Sequence, residues 1–116
     1  MAGPILMVEE HFDNAVFVFG EPTGETEIYP SVAAAARSLE PWQLEDAFAV
    51  DGRGNRVLLR QQGARVVAES TEETIDAGSL RRRAEGELRA SGVSATAGAA
   101  PLDLLRQLLE VLGYSR

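Results

Sequence analysis

The stretch Ala47-Phe48-Ala49-Val50-Asp51-Gly52-Arg53-Gly54-Asn55-Arg56-Val57-Leu58-Leu59-Arg60-Gln61-Gln62-Gly63-Ala64-Arg65-Val66-Val67-Ala68-Glu69 decides the fold. It holds three runs of strand character, Ala47–Asp51, Arg56–Arg60 and Arg65–Glu69, separated by short glycine-containing turns. Gly52-Arg53-Gly54-Asn55 supplies the positive-φ positions of one hairpin, and Gln62-Gly63 makes a second tight turn. Loops this short leave no room for a crossover, so the three strands are expected to be antiparallel neighbours. Phe48 and Val50 fall on one face of the first.

Toward the N-terminus, Ala15-Val16-Phe17-Val18-Phe19 is apolar at every position, which predicts a strand in the interior of the sheet. Gly20 to Glu25, with Pro22 and Gly24, reads as a turn, and Thr26–Tyr29 as a short returning strand. Ser31 can cap a helix that follows, with Val32, Ala36 and Leu39 on one side. Pro41 ends it, because a residue before proline avoids the helical region. Trp42-Gln43-Leu44-Glu45-Asp46 then makes one further turn, with Pro41 in the first position.

Toward the C-terminus, Ser70-Thr71-Glu72-Glu73 resembles a capping box, although Gly78 interrupts the helix it would start. Helix is better expected over Ser79–Ala90, where Leu80, Ala84 and Leu88 recur every four residues. Residues 91–100 are mostly small and read as a flexible linker. Pro101 opens an amphipathic helix with Leu102, Leu105, Leu108, Leu109 and Leu112 in one stripe and Gly113 at its C-cap. Such a stripe is expected to pack on its own sheet; a homo-oligomer built on Leu102–Leu112 is the other use of it. The expected architecture is a single α+β domain over 1–116. It has one antiparallel sheet of about five strands, a short helix after strand 2 and C-terminal amphipathic helices packed on one face. Residues 1–14 form a ragged N-terminus.

Composition closes several routes to function. With no Cys, the chain has no disulfide and no thiolate ligand for zinc or iron–sulfur clusters. All basic side chains are Arg, so neither a Schiff-base lysine nor a P-loop lysine exists. A net charge of −7 opposes general binding to nucleic acid. No apolar run approaches a membrane span, and the first ten residues lack the basic region of a signal peptide. A cytoplasmic monomer that binds no cofactor or metal is expected.

Catalytic residue patterns are equally sparse. His11 is the only His, and with Asp13 two residues away on a strand it could form an oriented imidazole, but no strained serine elbow accompanies it. Asp51-Gly52-Arg53-Gly54-Asn55 places an Arg where a calcium loop wants oxygen. Gly20-Glu21-Pro22-Thr23-Gly24 lacks the dinucleotide fingerprint. Arg81-Arg82-Arg83 spans about 200° of a helix and cannot focus on one phosphate. No catalytic residue is assigned, and the chain is not expected to be an enzyme.

Charge distribution is more informative than its total. Residues 1–50 hold nine carboxylates against Arg37 alone, whereas residues 51–116 hold nine against ten Arg, so the first part carries −8 and the second +1. Trp42, the only Trp, lies inside the acidic part, between Glu40-Pro41 and Gln43-Leu44-Glu45-Asp46. Its ring either closes a helix–strand corner or stands as an aromatic anchor rimmed by carboxylates, aimed at a basic partner.

The run of Val16–Phe19, the Ser31–Leu39 helix, Glu40–Asp46, the Asp51–Asn55 hairpin, Val57-Leu58-Leu59 and the Leu-rich final helix resembles small acidic α+β proteins of high-GC bacteria. Among these are immunity proteins of polymorphic toxin systems. The resemblance implies an inhibitor that binds a cognate basic toxin domain and occludes it. The binding residues expected are Glu40, Trp42, Glu45 and Asp46, then Glu21, Glu25 and Glu27. The alternative is a small ligand-binding domain or enzyme with a pocket between the sheet and the C-terminal helix.

Overall fold

The computed structural model describes residues 12–20 and 26–115, apart from the side chain of Asp46. Five strands, β1 (Val16–Gly20), β2 (Thr26–Tyr29), β3 (Ala47–Asp51), β4 (Asn55–Gln62) and β5 (Arg65–Thr74), form one sheet in the order β2-β1-β3-β4-β5. All four pairings are antiparallel, so β3, β4 and β5 are the meander expected from the turns. Helix α1 (Val32–Ser38) and a 3-10 helix (Pro41–Asp46) lie between β2 and β3; α2 (Ala77–Ala90) and α3 (Pro101–Leu112) follow β5. The architecture is α+β, with the helix after strand 2 in place.

β1 is buried on both faces because helices cover both. Phe17 and Phe19 point into a core shared with Ile28, Val50 and the helical residues Leu80, Ala84, Leu88, Leu104, Leu105 and Leu108. Val16 and Val18 point the other way, to Ala49, Val57, Val66, Ala35 and Leu39. Continuous hydrophobicity in a strand with two covered faces follows from this arrangement. Each phenylalanine so buried contributes roughly 1.5–3 kcal/mol over its exposed state.

Local signals explain most boundaries. Ser31 Oγ accepts the Ala34 N–H and starts α1. Gly63, at φ 63°, is the first central residue of the two-residue β4–β5 turn. Of the two glycines in the preceding hairpin only Gly54 has positive φ, at 86°; Gly52 serves instead to admit the carbonyl of Phe12. Asp51 is the one charged side chain buried among the described residues, and its Oδ1 accepts the N–H groups of Arg53 at 2.9 Å and Asn55 at 3.0 Å. This carboxylate therefore belongs to the turn. Replacing Asp51 by Ala leaves two turn amides without an acceptor and is expected to cost roughly 1–3 kcal/mol, measured by urea denaturation.

Several expectations are corrected. Ser70 to Thr74 continue β5 instead of opening a helix; Thr71 Oγ1 donates to the Arg56 carbonyl, and Arg56 meets Glu73 at 3.5 Å across the strands. The helix begins later, with Asp76 accepting the Ser79 N–H, and takes Gly78 into its first turn. In α1 the inward face is Val32, Ala35 and Leu39, with Ala36 turned aside. In α3 it is Leu104, Leu105 and Leu108, with Leu102 and Leu109 at the margin and Leu112 exposed. Residues 12–14 are helical, and Phe12 is buried against Phe17 with ring centroids 5.9 Å apart. A ragged end therefore cannot include Phe12, and the strand geometry proposed for His11 and Asp13 is not met at Asp13. His11 itself, with the rest of 1–11, lies outside the described residues.

Residues 91–100 carry no helix or strand, as a linker would, but they are tied to the body. Val93, Ala95 and Ala99 pack on the core, and Gln107 bonds Thr96 and the Ser94 carbonyl. No helix of the described residues is long and apolar enough to cross a membrane.

Candidate functional site

The 3-10 helix is held at its start by reciprocal bonds. Pro41 occupies its first turn, the Gln43 N–H donates to the Glu40 carbonyl at 2.9 Å, and the Glu40 N–H donates to Gln43 Oε1 at 2.7 Å. Leu44 turns inward, onto the core face built by Val16, Val18 and Leu59. Trp42 is thereby turned outward and is 73% exposed. Its indole Nε1–H donates to Glu40 Oε2 at 2.5 Å, so the ring is exposed yet oriented. Of the two readings of Trp42, the buried corner is therefore set aside.

Glu27, from β2, reaches the same helix. Its Oε1 accepts from Gln43 Nε2 at 3.5 Å, and its Oε2 accepts from the Tyr29 hydroxyl. Burial raises the Tyr29 pKa well above the ordinary value, and the Glu27 hydrogen bond and negative charge push it further the same way. The Tyr114 pKa is also raised by burial. Since these are the only two tyrosines, tyrosinate absorbance near pH 10 is expected to be lower in the folded protein than in the unfolded one. The sign is that of a raised acid: the unfolded phenol ionises first, so stability is retained below about pH 10 and falls as pH rises above it. Tyr29→Phe should flatten that fall in an alkaline denaturation series.

The structure thus gathers Glu27, Glu40, Trp42 and Glu45 around one short helix, with Glu40 and Glu45 exposed. The backbone of Asp46 closes that helix, while its side chain, Glu21 and Glu25 lie outside the described residues. Gln43 was not among the residues expected from sequence, although the Glu40-x-x-Gln43 spacing is that of a capping box.

The surroundings are less uniformly acidic than the charge count implied. A surface hollow of about 520 Å³ beside Trp42 is lined by Pro41, Leu44, Glu45, Leu59, Arg60 and Gln61. Arg60 also meets Glu69 at 3.6 Å on the exposed sheet surface, a pair worth about 0–1 kcal/mol. Arg37 and Arg65 line a second hollow on the other side of Pro41. Arginines as well as carboxylates therefore line the hollows on the two sides of Pro41.

Elsewhere, charged groups are engaged with the core. The Arg83 guanidinium stands 4.1 Å from the centre of the Phe48 ring, and that of Arg106 stands 4.2 Å from Phe12. Phe17, Leu104, Leu105 and Leu108 are buried together in the core that β1 shares with α3. No group of three or more His, Cys, Asp or Glu able to hold a metal occurs among the described residues. A comparison of the chain with protein-family models, with curated proteins and with solved structures finds no match in any of the three.

Proposed function

We propose that this chain is a protein-interaction module of the immunity type, which binds a cognate bacterial toxin in the cytoplasm and occludes it through the surface around Trp42. The observation that carries this reading is the exposed Trp42 indole, fixed by Glu40 above a helix start that is itself hydrogen-bonded. An aromatic ring already oriented loses little conformational freedom on association, which suits a binding hot spot. Glu40, Glu45 and Glu27 around it favour a partner with basic groups opposite, and such charges chiefly speed encounter.

The test uses the protein encoded by the adjacent reading frame as the candidate toxin. Glu45→Ala is expected to slow association several-fold at low salt and to have little effect at high salt, measured by stopped-flow mixing. Association rates equal to wild type at low salt would remove Glu45 from the binding surface.

A further inference from the structure

Among the described residues, the two edges of the sheet differ. On the outer side of β2, the Ser115 N–H donates to the Ile28 carbonyl at 2.7 Å and Ser115 Oγ accepts the Ile28 N–H at 3.1 Å, so the end of the chain covers that edge at Ile28. β5 is the other edge, and no strand of the described residues pairs with its outer side.

The register shows where β5 can take another strand. Gln62 and Arg65 flank a two-residue turn whose first central residue, Gly63, has φ 63°, while Ala64 does not have positive φ. That is a type II′ hairpin, in which the flanking pair exchanges both hydrogen bonds. Bonded and non-bonded pairs then alternate along the ladder, so Val66, Ala68 and Ser70 turn their N–H and C=O away from β4. After Ser70 the regular register ends, since Val57 pairs with Ser70 but Asn55 pairs with Thr74. The open edge of regular spacing is therefore the stretch from Ala64 to Ser70, and its midpoint is Val67.

Two copies of this stretch match each other. When they run antiparallel about a two-fold axis at Val67, Val66 comes opposite Ala68 of the second copy, and their outward N–H and C=O groups can exchange hydrogen bonds. The same register sets Arg65 opposite Glu69 of the second copy, twice by symmetry. Both side chains are exposed on the face away from α1; Arg65 is in no ion pair among the described residues, and Glu69 meets Arg60 at 3.6 Å, so Glu69 would stand between two guanidinium groups. Val67, on the same face, is half-buried but packs on neither core, and it would meet its own copy on the axis. Moving the axis by one residue, to Val66 or Ala68, sets Arg65 against Val67 or Thr71 and loses both charge pairs. On the α1 side, the residues brought beside Val66 and Ala64 are Ala68 and Ser70 of the second copy; both are small, and the hollow of about 640 Å³ lies next to them. We propose that two copies of this chain associate through the outer edge of β5 over residues 64–70, joining their sheets into one, with Arg65 of each paired to Glu69 of the other.

Light scattering of the free protein from micromolar to millimolar concentration tests this. Wild type is expected to pass from monomer to dimer over that range, and the Val66 and Ala68 amides should gain hydrogen-exchange protection as it does. Arg65→Glu alone and Glu69→Arg alone should each weaken self-association at least about ten-fold, because like charges then face each other. An equimolar mixture of the two variants should associate again, since every facing pair is then of opposite sign. Both substitutions are on exposed side chains and should leave the melting temperature near that of wild type. A wild type that stays monomeric at millimolar concentration, variants that dimerise as wild type does, or a mixture that stays monomeric would each overturn the proposal. No toxin enters this test, so its failure leaves the Trp42 surface untouched.

Discussion

Gly52→Ala is expected to destabilise the protein by about 3 kcal/mol or more, a large effect for one added methyl group. A Cβ at this position would lie 1.7 Å from the carbonyl oxygen of Phe12 and 2.7 Å from its carbonyl carbon. Neither is the end of a flexible side chain, so the backbone on one side must move. Phe12 cannot retreat freely, because its ring is buried against Phe17 and lies under the Arg106 guanidinium. The turn cannot shift freely either, since Asp51 holds it through Arg53 and Asn55. Gly63→Ala provides the contrast. Nothing lies within 4 Å of its added methyl, and its cost is confined to the positive φ, roughly 1–2 kcal/mol. Equal midpoints for the two variants in urea would refute this account of the Phe12 approach.

Trp42→Ala is the second large effect, and it separates binding from folding. The side chain is mostly in water, so its removal should change the unfolding free energy by no more than about 0.5 kcal/mol. Under the proposed function, affinity for the partner should fall by about 2 kcal/mol or more, roughly 30-fold, with most of the change in the dissociation rate. Glu40→Gln should weaken binding less, because a glutamine oxygen can still accept the indole N–H. Calorimetric titration checks both variants. A Trp42→Ala protein that melts far below wild type would place the ring in the core and remove the basis of the reading.

Much of the architecture was legible because local chemistry and tertiary demand agree. Ser31, Gly54 and Gly63 each stand where a cap or turn requires them, and the covered faces of β1 match its unbroken apolar run. The misread segment is one where two local rules compete. Ser70-Thr71-Glu72-Glu73 satisfies a capping pattern, but pairing with β4 offers Thr71 the Arg56 carbonyl and Glu73 the Arg56 guanidinium. The irregular register between Asn55 and Val57 accommodates the extra length. In α1 and α3 the periodicity was right and the phase was off. Ala35 and Ala36 are nearly equivalent by sequence, as are the leucines around Leu104, and only the way each helix crosses the sheet selects among them.

The site was half legible. Glu40, Trp42 and Glu45 sit together because they are neighbours in sequence, and Glu27 joins them only through the contact of β2 with Gln43. Arg37 stands only three residues before Glu40, but no pattern in the chain places Arg60 and Arg65 in the hollows beside them, since that requires α1 and the 3-10 helix to meet the β4–β5 hairpin. The charge asymmetry between the halves therefore does not translate into a uniformly acidic face.

The central claim is that Trp42 is an oriented, water-exposed ring that a toxin covers. Because it is the only Trp, acrylamide quenching of its fluorescence reports on this ring alone. The free protein should be quenched nearly as readily as indole in water, and saturation with the protein of the adjacent reading frame should suppress quenching and shift emission to shorter wavelength. Quenching that is already slow in the free protein, or that stays fast in a saturated complex, would contradict the account.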